Sequence, residues 1–339
     1  MSDPAASIPP QVRMSQMLSG YWISQALYTA AHFGIADLLK EGPRTAEELA
    51  EATKTKGDFL YRLLRALASI GVFAEDASGK FQLTPMAELL RSDSPSAVRS
   101  LALMMGEEHY QVWGRLTEAV QTGENMFEKS LGMPVFEYLG KNPDKGKIFD
   151  AAMTGIHGQE TQAVLDAYDF SKIRVLADVG GGNGSNLIAI LKKYPKLRGI
   201  LFDLPQVIER SRQNFVAAGV ADRCQLIAGS FFESVPAGAD AVLMRHIIHD
   251  WDDAKSLTIL KNCHAAIPED GKLLLVESVI PPGNDFCFAK FLDLTMLLIP
   301  GGKERTENEY RELYEAAGFS LDLVVGTASE INVVEGSKR

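Results

Sequence analysis

The sequence predicts an α/β chain of two unlike parts. A mostly helical half runs to about residue 168, and a doubly wound, mostly parallel sheet occupies 169–339. Three observations carry this. From about residue 170 onward, short apolar runs alternate with helical patterns. A glycine-rich stretch, Asp178–Gly184, lies between the first of those runs and a helix. Before residue 168, apolar residues recur at helical spacing, interrupted by one hairpin-like segment.

The helical half begins with Tyr21–Leu39, an apolar stretch with few charges that reads as one helix needing burial on more than one side. Thr45, followed three residues later by Glu48, is a capping box that starts a short helix. A second helix covers Asp58–Ile70, with Phe59, Leu60, Leu63, Leu64, Leu67 and Ile70 at helical spacing and Gly71 as its stop. Val72–Ala74 and Phe81–Leu83 flank a polar turn and read as a hairpin. Two helices and a hairpin together predict a winged-helix unit over 1–100. Residues 101–168 predict a helical connector, broken at Pro134 and within Lys141–Gly146.

In the second half, strands are expected at Val175–Val179, Arg198–Asp203, Cys224–Ala228, Ala239–Met244 and Lys272–Val276. Helices are expected at Ser185–Lys193, Pro205–Ala218 and Ala254–Ile267, the last capped by Asp252 or Asp253, and at Glu307–Ala317, ending on Gly318. Leu321–Val325 and Ile331–Val334 form a closing strand pair.

Composition narrows the function. Of 339 residues, 46% are hydrophobic and 23% charged, the profile of a globular chain. A net charge of −10 argues against binding that depends on neutralising phosphates. The three cysteines are far apart and form no zinc pattern, which fits a reducing, cytoplasmic setting. MSDPAASIPP has neither the basic nor the apolar region of a secretory leader, and no stretch approaches the roughly 18 apolar residues of a membrane span. Neither nucleic acid nor membrane is therefore an expected partner.

Asp178-Val179-Gly180-Gly181-Gly182-Asn183-Gly184 follows a strand and opens a helix. Glycines there let the backbone turn sharply and approach a ligand, and the helix-terminal N–H groups suit an anionic group. Asp203, about 20 residues further on, ends the next strand and can accept hydrogen bonds from both ribose hydroxyls. The pattern fits a dinucleotide or S-adenosylmethionine equally.

DVGGGNG, FDLP (Phe202–Pro205), HDW (His249–Trp251) and PGGKERT (Pro300–Thr306), in that order and spacing, resemble the caffeate-type and polyketide-type small-molecule O-methyltransferases. The resemblance covers nearly the whole chain. It implies a class I methyltransferase with a Rossmann-like sheet, S-adenosylmethionine as cofactor, no metal, a winged-helix dimerisation domain and a homodimer.

The chemistry so implied is transfer of a methyl group from a sulfonium to an oxygen. A phenol has a pKa near 10 and is a poor nucleophile at neutral pH, so a neutral imidazole that takes its proton is the main requirement. His249, just past the fourth strand of the sheet, is the candidate base. The resemblance sets Glu277 and Glu304 beside it, where a carboxylate fixes the tautomer and stabilises the imidazolium. The cofactor set is Asp178, Gly180, Gly182, Asp203, Leu204, Ser230, Phe231 and Arg245. Arg245 keeps the family's basic residue. Ser230 stands where the family usually has an acid, and Phe231 can flank the adenine. Asp250 is expected to buttress the loop or orient a neighbour at the substrate. Asp252 and Asp253 are most simply helix N-terminal residues rather than magnesium ligands.

The resemblance also marks Phe149, Met153 and Met296 as lining a pocket for a flat ring, because methionine and phenylalanine pack adaptably on π-faces. His157 can reach a polar substrate group. His109 is the weaker candidate, and His32, His246 and His264 are assigned to structure. Tyr21 and Trp22 can cross a dimer interface. Three rival functions share parts of this pattern. A winged-helix regulator would need a positive stripe, but Glu47, Glu48, Glu51 and Asp58 surround Arg62 and Arg65. A dehydrogenase would leave HDW and GGKERT without a role. A family member doing N-methylation or other chemistry differs only in what it does with the same site.

Overall fold

A computed structural model describes residues 8–95 and 98–339, without the side chains of residues 156, 157 and 159. The start of the chain, expected to carry no leader, falls outside the described residues, as does the side chain of His157. Two compact units emerge, Met1–Gln111 with Asn142–Ile156 and Val112–Lys141 with His157–Arg339. The segment expected as a connector is therefore shared between both. Among the described residues no helix is long and apolar enough to cross a membrane.

In the first unit, the expected single helix over Tyr21–Leu39 is two, Gly20–His32 and Ile35–Leu38. Gly34 takes a left-handed φ of +63° and breaks the chain between them. The capping box forms as expected. Glu48 N–H donates to Thr45 Oγ1 and Thr45 N–H to Glu48 Oε2, starting the helix Ala46–Thr53. The following helix, Gly57–Ser69, turns Leu60, Leu64 and Leu67 inward, whereas Phe59 stays exposed. The wing is β1 (Phe73–Glu75) paired antiparallel with β2 (Phe81–Leu83). Leu49, Leu64, Phe73 and Phe81 form the centre of this unit's core. At its N-terminal end, the helix Pro10–Leu18 buries none of its residues.

The second unit is built on a seven-stranded sheet. In chain order its strands are β3 (Val175–Val179), β4 (Arg198–Asp203), β5 (Cys224–Ala228), β6 (Ala241–Arg245) and β7 (Lys272–Glu277), joined by β10 (Phe319–Gly326) and β11 (Asn332–Lys338). Their spatial order is β10-β11-β7-β6-β3-β4-β5. The five strands from β3 to β7 run parallel, and the closing pair is antiparallel. Burial on both faces explains the apolar runs of β6 and β7 and of β3, which Asp178 alone interrupts. A short parallel pair that the sequence reading lacks, β8 (Val279–Ile280) with β9 (Arg305–Thr306), ties the segment after β7 to the GGKERT stretch.

Strand order reverses at β3, with β4 on one side and β6 on the other. In open α/β sheets that switch point opens a crevice beyond the carboxyl ends of the strands. Asp178, Asp203, Arg245 and Glu277 all lie at or next to such ends.

Candidate active site

The glycine loop is shaped by what surrounds it. Gly180 has φ +72°, and a Cβ there would stand 2.5 Å from Ile247 Cδ1, so only glycine fits. Its N–H donates to Phe202 O at 2.8 Å, tying the loop to β4. Gly182 N–H donates to Asp203 Oδ2 at 2.9 Å, and Leu204 N–H donates to Asp203 Oδ1 at 2.7 Å. Asp203 is thus fixed by two backbone donors. A Cβ at Gly182 would meet nothing within 4 Å, so this edge of the loop is open.

Asp178, beneath the loop, is buried, and its Oδ2 has no hydrogen-bond partner. Burial and the charge of Asp203 raise its carboxyl to about 7 against the pull of Arg245. Arg245 donates to Thr161 Oγ1 at 2.7 Å, and burial lowers its own pKa. The Phe231 and Phe232 rings lie 4.9 Å apart, tilted by 58°, and each meets Trp251 edge-on, while Ser230 Oγ accepts the N–H of Phe232 at 3.3 Å.

Across the switch point, β6 ends at Arg245 and the chain turns into a short 3-10 segment, Ile248–Asp250. His249 is buried there. Its Nδ1 lies 2.7 Å from Glu304 Oε1, a bond in which the ring nitrogen donates and the carboxylate accepts. In the neutral ring the proton is therefore on Nδ1, and Nε2, 3.6 Å from Asp250 Oδ1, carries the lone pair. Glu277, fully buried at the end of β7, accepts the N–H groups of Ile247 and Ile248 on Oε1 at 3.1 and 2.9 Å. Its Oε2 is 3.6 Å from His249 Nδ1 and, like Glu304 Oε2, is buried without a partner.

Burial disfavours charge on His249, but Glu277, Asp250 and Glu304 outweigh it and push the imidazole up to about 10. The same crowding, led by burial, raises Asp250 to about 7 and raises Glu277 as well. The cluster as a whole holds on to a proton.

Residues outside the expected set hold this loop in place. Asp293 Oδ1 accepts the N–H of Glu304 at 2.8 Å. Arg305, fully buried, donates to Ile248 O at 3.0 Å, Trp251 O at 3.0 Å and Asp253 Oδ1 at 2.8 Å. Gly302 lies so close that a Cβ would stand 2.0 Å from His249 O. Asp252 caps the helix Asp253–Ala266 through Lys255 N–H, so both aspartates are committed to structure.

His246, assigned to structure from sequence, faces the same cluster. Its backbone is left-handed at φ +52°, its Nε2 lies 2.9 Å from Glu160 Oε2, and its Nδ1 lies 3.9 Å from Glu277 Oε2. No sequence signal distinguishes it, since its partner Glu160 is far away in the chain. Burial pushes His109 down to about 4, in keeping with a structural role. Met296 is buried on the helix Ala289–Leu298, and Phe149 and Met153 are half-buried on the helix Pro143–Ala167.

The family model for the O-methyltransferase dimerisation domain matches residues 15–93, and that for the O-methyltransferase domain matches 113–320. The chain is 46% identical over 331 residues to the phenazine O-methyltransferase PhzM of Lysobacter antibioticus, covering 98% of this chain and 97% of that one. It resembles the crystal structure of LaPhzM with a TM-score of 0.94 at 46% identity, over 98% of this chain and 100% of the other. It also resembles NcsB1, an O-methyltransferase from neocarzinostatin biosynthesis solved with S-adenosylmethionine and 2-hydroxy-5-methyl naphthoic acid. There the TM-score is 0.83 at 31% identity, over 94% and 96% of the two chains.

Proposed function

Since this chain belongs to the S-adenosylmethionine-dependent O-methyltransferases, we propose that it methylates a hydroxyl on a small fused-ring aromatic metabolite with His249 as general base. The observation that carries the proposal is the His249–Glu304 hydrogen bond of 2.7 Å, which leaves Nε2 as the accepting nitrogen at the carboxyl edge of the sheet.

The cofactor supplies an activated methyl group as a sulfonium. Two features favour holding it at the glycine loop: the unpartnered, buried Asp178 Oδ2 and the open edge at Gly182. Asp203, at the carboxyl end of β4 beside the glycine loop, would take the ribose hydroxyls. Gly180, Leu204, Ser230, Phe231 and Arg245 complete the proposed contacts.

His249 Nε2 accepts the hydroxyl proton as the oxygen becomes the nucleophile. Glu304 takes the growing positive charge through the Nδ1 hydrogen bond, and Glu277 adds negative potential while fixing the backbone before the base. Asp250 faces Nε2 and is proposed to orient the hydroxyl. Met296 is proposed to pack against the ring. The fused ring is argued from the relatives, one named for phenazines and another solved with a naphthoic acid.

A homodimer is proposed as the working unit. The matching dimerisation domain and the exposed apolar side chains Val12, Met14, Met17, Leu18, Tyr21 and Trp22 support it. Three free cysteines accord with the expected cytoplasmic setting.

His249→Ala tests the proposal. Turnover with a phenolic acceptor should fall by about 100-fold or more, while calorimetric affinity for S-adenosylhomocysteine is retained. Undiminished turnover would remove His249 as base.

A further inference from the structure

We propose that His246, His249 and Glu277 form an inhibitory binding site for a borderline divalent metal of the zinc class. One ligand atom from each of the three lies within 4.8 Å of the other two. Glu277 Oε2 is 3.6 Å from His249 Nδ1 and 3.9 Å from His246 Nδ1. In a tetrahedral site with bonds of about 2.0–2.2 Å, ligand atoms stand roughly 3.3–3.5 Å apart. The two carboxylate–imidazole separations therefore need to close by only a few tenths of an ångström around an ion, with the two imidazoles drawing together from within 4.8 Å.

Two independent features point to a ligand there. Glu277 Oε2 is a buried carboxylate oxygen with no hydrogen-bond partner, and so is Glu304 Oε2, the candidate fourth donor. Such oxygens are costly unless a cation or donor meets them. His246 also has the anatomy of a metal-binding histidine. Its Nε2 is held by the Glu160 carboxylate at 2.9 Å, and its other nitrogen faces the cluster. The strained φ of +52° is what aims it there. Two imidazole nitrogens with one or two carboxylates suit zinc better than magnesium or calcium, which prefer oxygen donors throughout.

The effect on turnover follows from the tautomer and rests on the reading of His249 as base. Metal at Nδ1 breaks the hydrogen bond to Glu304. A neutral ring then keeps its single proton on Nε2, and a protonated ring releases one proton to solvent. An Nε2–H cannot accept the substrate's proton, so the metal-loaded enzyme is inactive although the glycine loop is untouched. Metal-free enzyme is the active form, and chelators leave or raise its rate.

The test uses the full-length enzyme, stripped of metal, freed of chelator and titrated with Zn²⁺ and Co²⁺. Expected are one ion per chain by calorimetry, the visible absorption of a low-coordinate Co²⁺ site, and turnover that falls in step with occupancy. Affinity for S-adenosylhomocysteine should be unchanged. His246→Asn, chosen because asparagine tolerates a left-handed backbone, should weaken metal binding by about 10–100-fold or more. Inhibition, measured against the variant's own metal-free rate, should weaken equally. Glu277→Gln, which keeps an acceptor for the Ile247 and Ile248 N–H groups, is the second variant, and thermal unfolding shows whether each is folded. Absence of binding in the wild type, or binding undiminished in both folded variants, would overturn the site. Binding lost in the variants but without effect on wild-type turnover would keep the site and overturn His249 as the base.

Discussion

Glu304→Gln separates orientation from charge at the base. The amide is nearly isosteric, and its oxygen can still accept the Nδ1–H now 2.7 Å from Glu304 Oε1, so the ring should keep its tautomer and position. What disappears is a buried negative charge. A hydrogen bond to a charged group contributes about 1.5–3 kcal/mol against about 1 kcal/mol for a neutral pair, so imidazolium formation loses about 0.5–2 kcal/mol. At 1.36 kcal/mol per decade, that is roughly a 2–30-fold fall in the limiting kcat, because the imidazolium forms on the way to the transition state.

The same loss moves the pH profile in a defined direction. Glu277, Asp250 and Glu304 together hold the His249 pKa up to about 10, above its ordinary value of 6.5. The base works only when neutral, so kcat/KM should rise with pH from neutrality into the alkaline range. Removing one of the three carboxylates lowers the imidazole pKa, and the rise should shift to lower pH by about one unit. The variant is thus slower at the alkaline plateau and loses less of its rate near neutrality. Initial rates with a phenolic acceptor from pH 6 to 10.5, with calorimetric S-adenosylhomocysteine affinity as control, read both effects. An unchanged plateau and midpoint with cofactor affinity intact would refute the coupling of Glu304 to His249. A uniform loss at every pH with no shift would leave Glu304 a merely structural part of the loop.

Three further outcomes follow from named contacts. Asp203→Ala should weaken S-adenosylhomocysteine binding by roughly 1–3 kcal/mol in calorimetry, since two backbone donors and the ribose hydroxyls lose their acceptor; equal affinity would move the ribose contact elsewhere. Gly302→Ala should lower kcat and the thermal midpoint together, because its methyl group would stand 2.0 Å from His249 O and must displace the backbone of the base; a folded variant with full turnover would show that this loop can yield. Met17→Asp with Leu18→Asp should leave a monomer by light scattering at micromolar concentration, as both side chains are exposed on the first helix; a persisting dimer would exclude that helix from the interface.

The parts of this fold legible in the sequence are those fixed by short spacing. The Thr45–Glu48 capping box, the strand–glycine loop–helix of 175–193 and Asp203 at the next strand's end each depend on neighbours within a few residues or on one supersecondary unit. Elements held by distant partners were not legible. Gly34 looks like one more small residue in an apolar run, and only its left-handed φ shows that it divides two helices. Arg305 carries no signal of its own inside GGKERT, yet it is buried because the carbonyls of Ile248 and Trp251 have turned toward it. Asp293 gives no signal at all, although it fixes the backbone of the residue that holds the base. His246 is the sharpest case. Periodicity and composition make it a structural histidine, and what gives it chemistry is a left-handed backbone that turns its ring between Glu160 and Glu277, on two different elements. Charge at this site is thus shared among six ionisable side chains, His246, His249, Asp250, Glu160, Glu277 and Glu304, of which the sequence motifs mark four. Substitutions at His246 and Glu160, the unmarked pair, should therefore alter the behaviour of His249 while leaving every family motif intact.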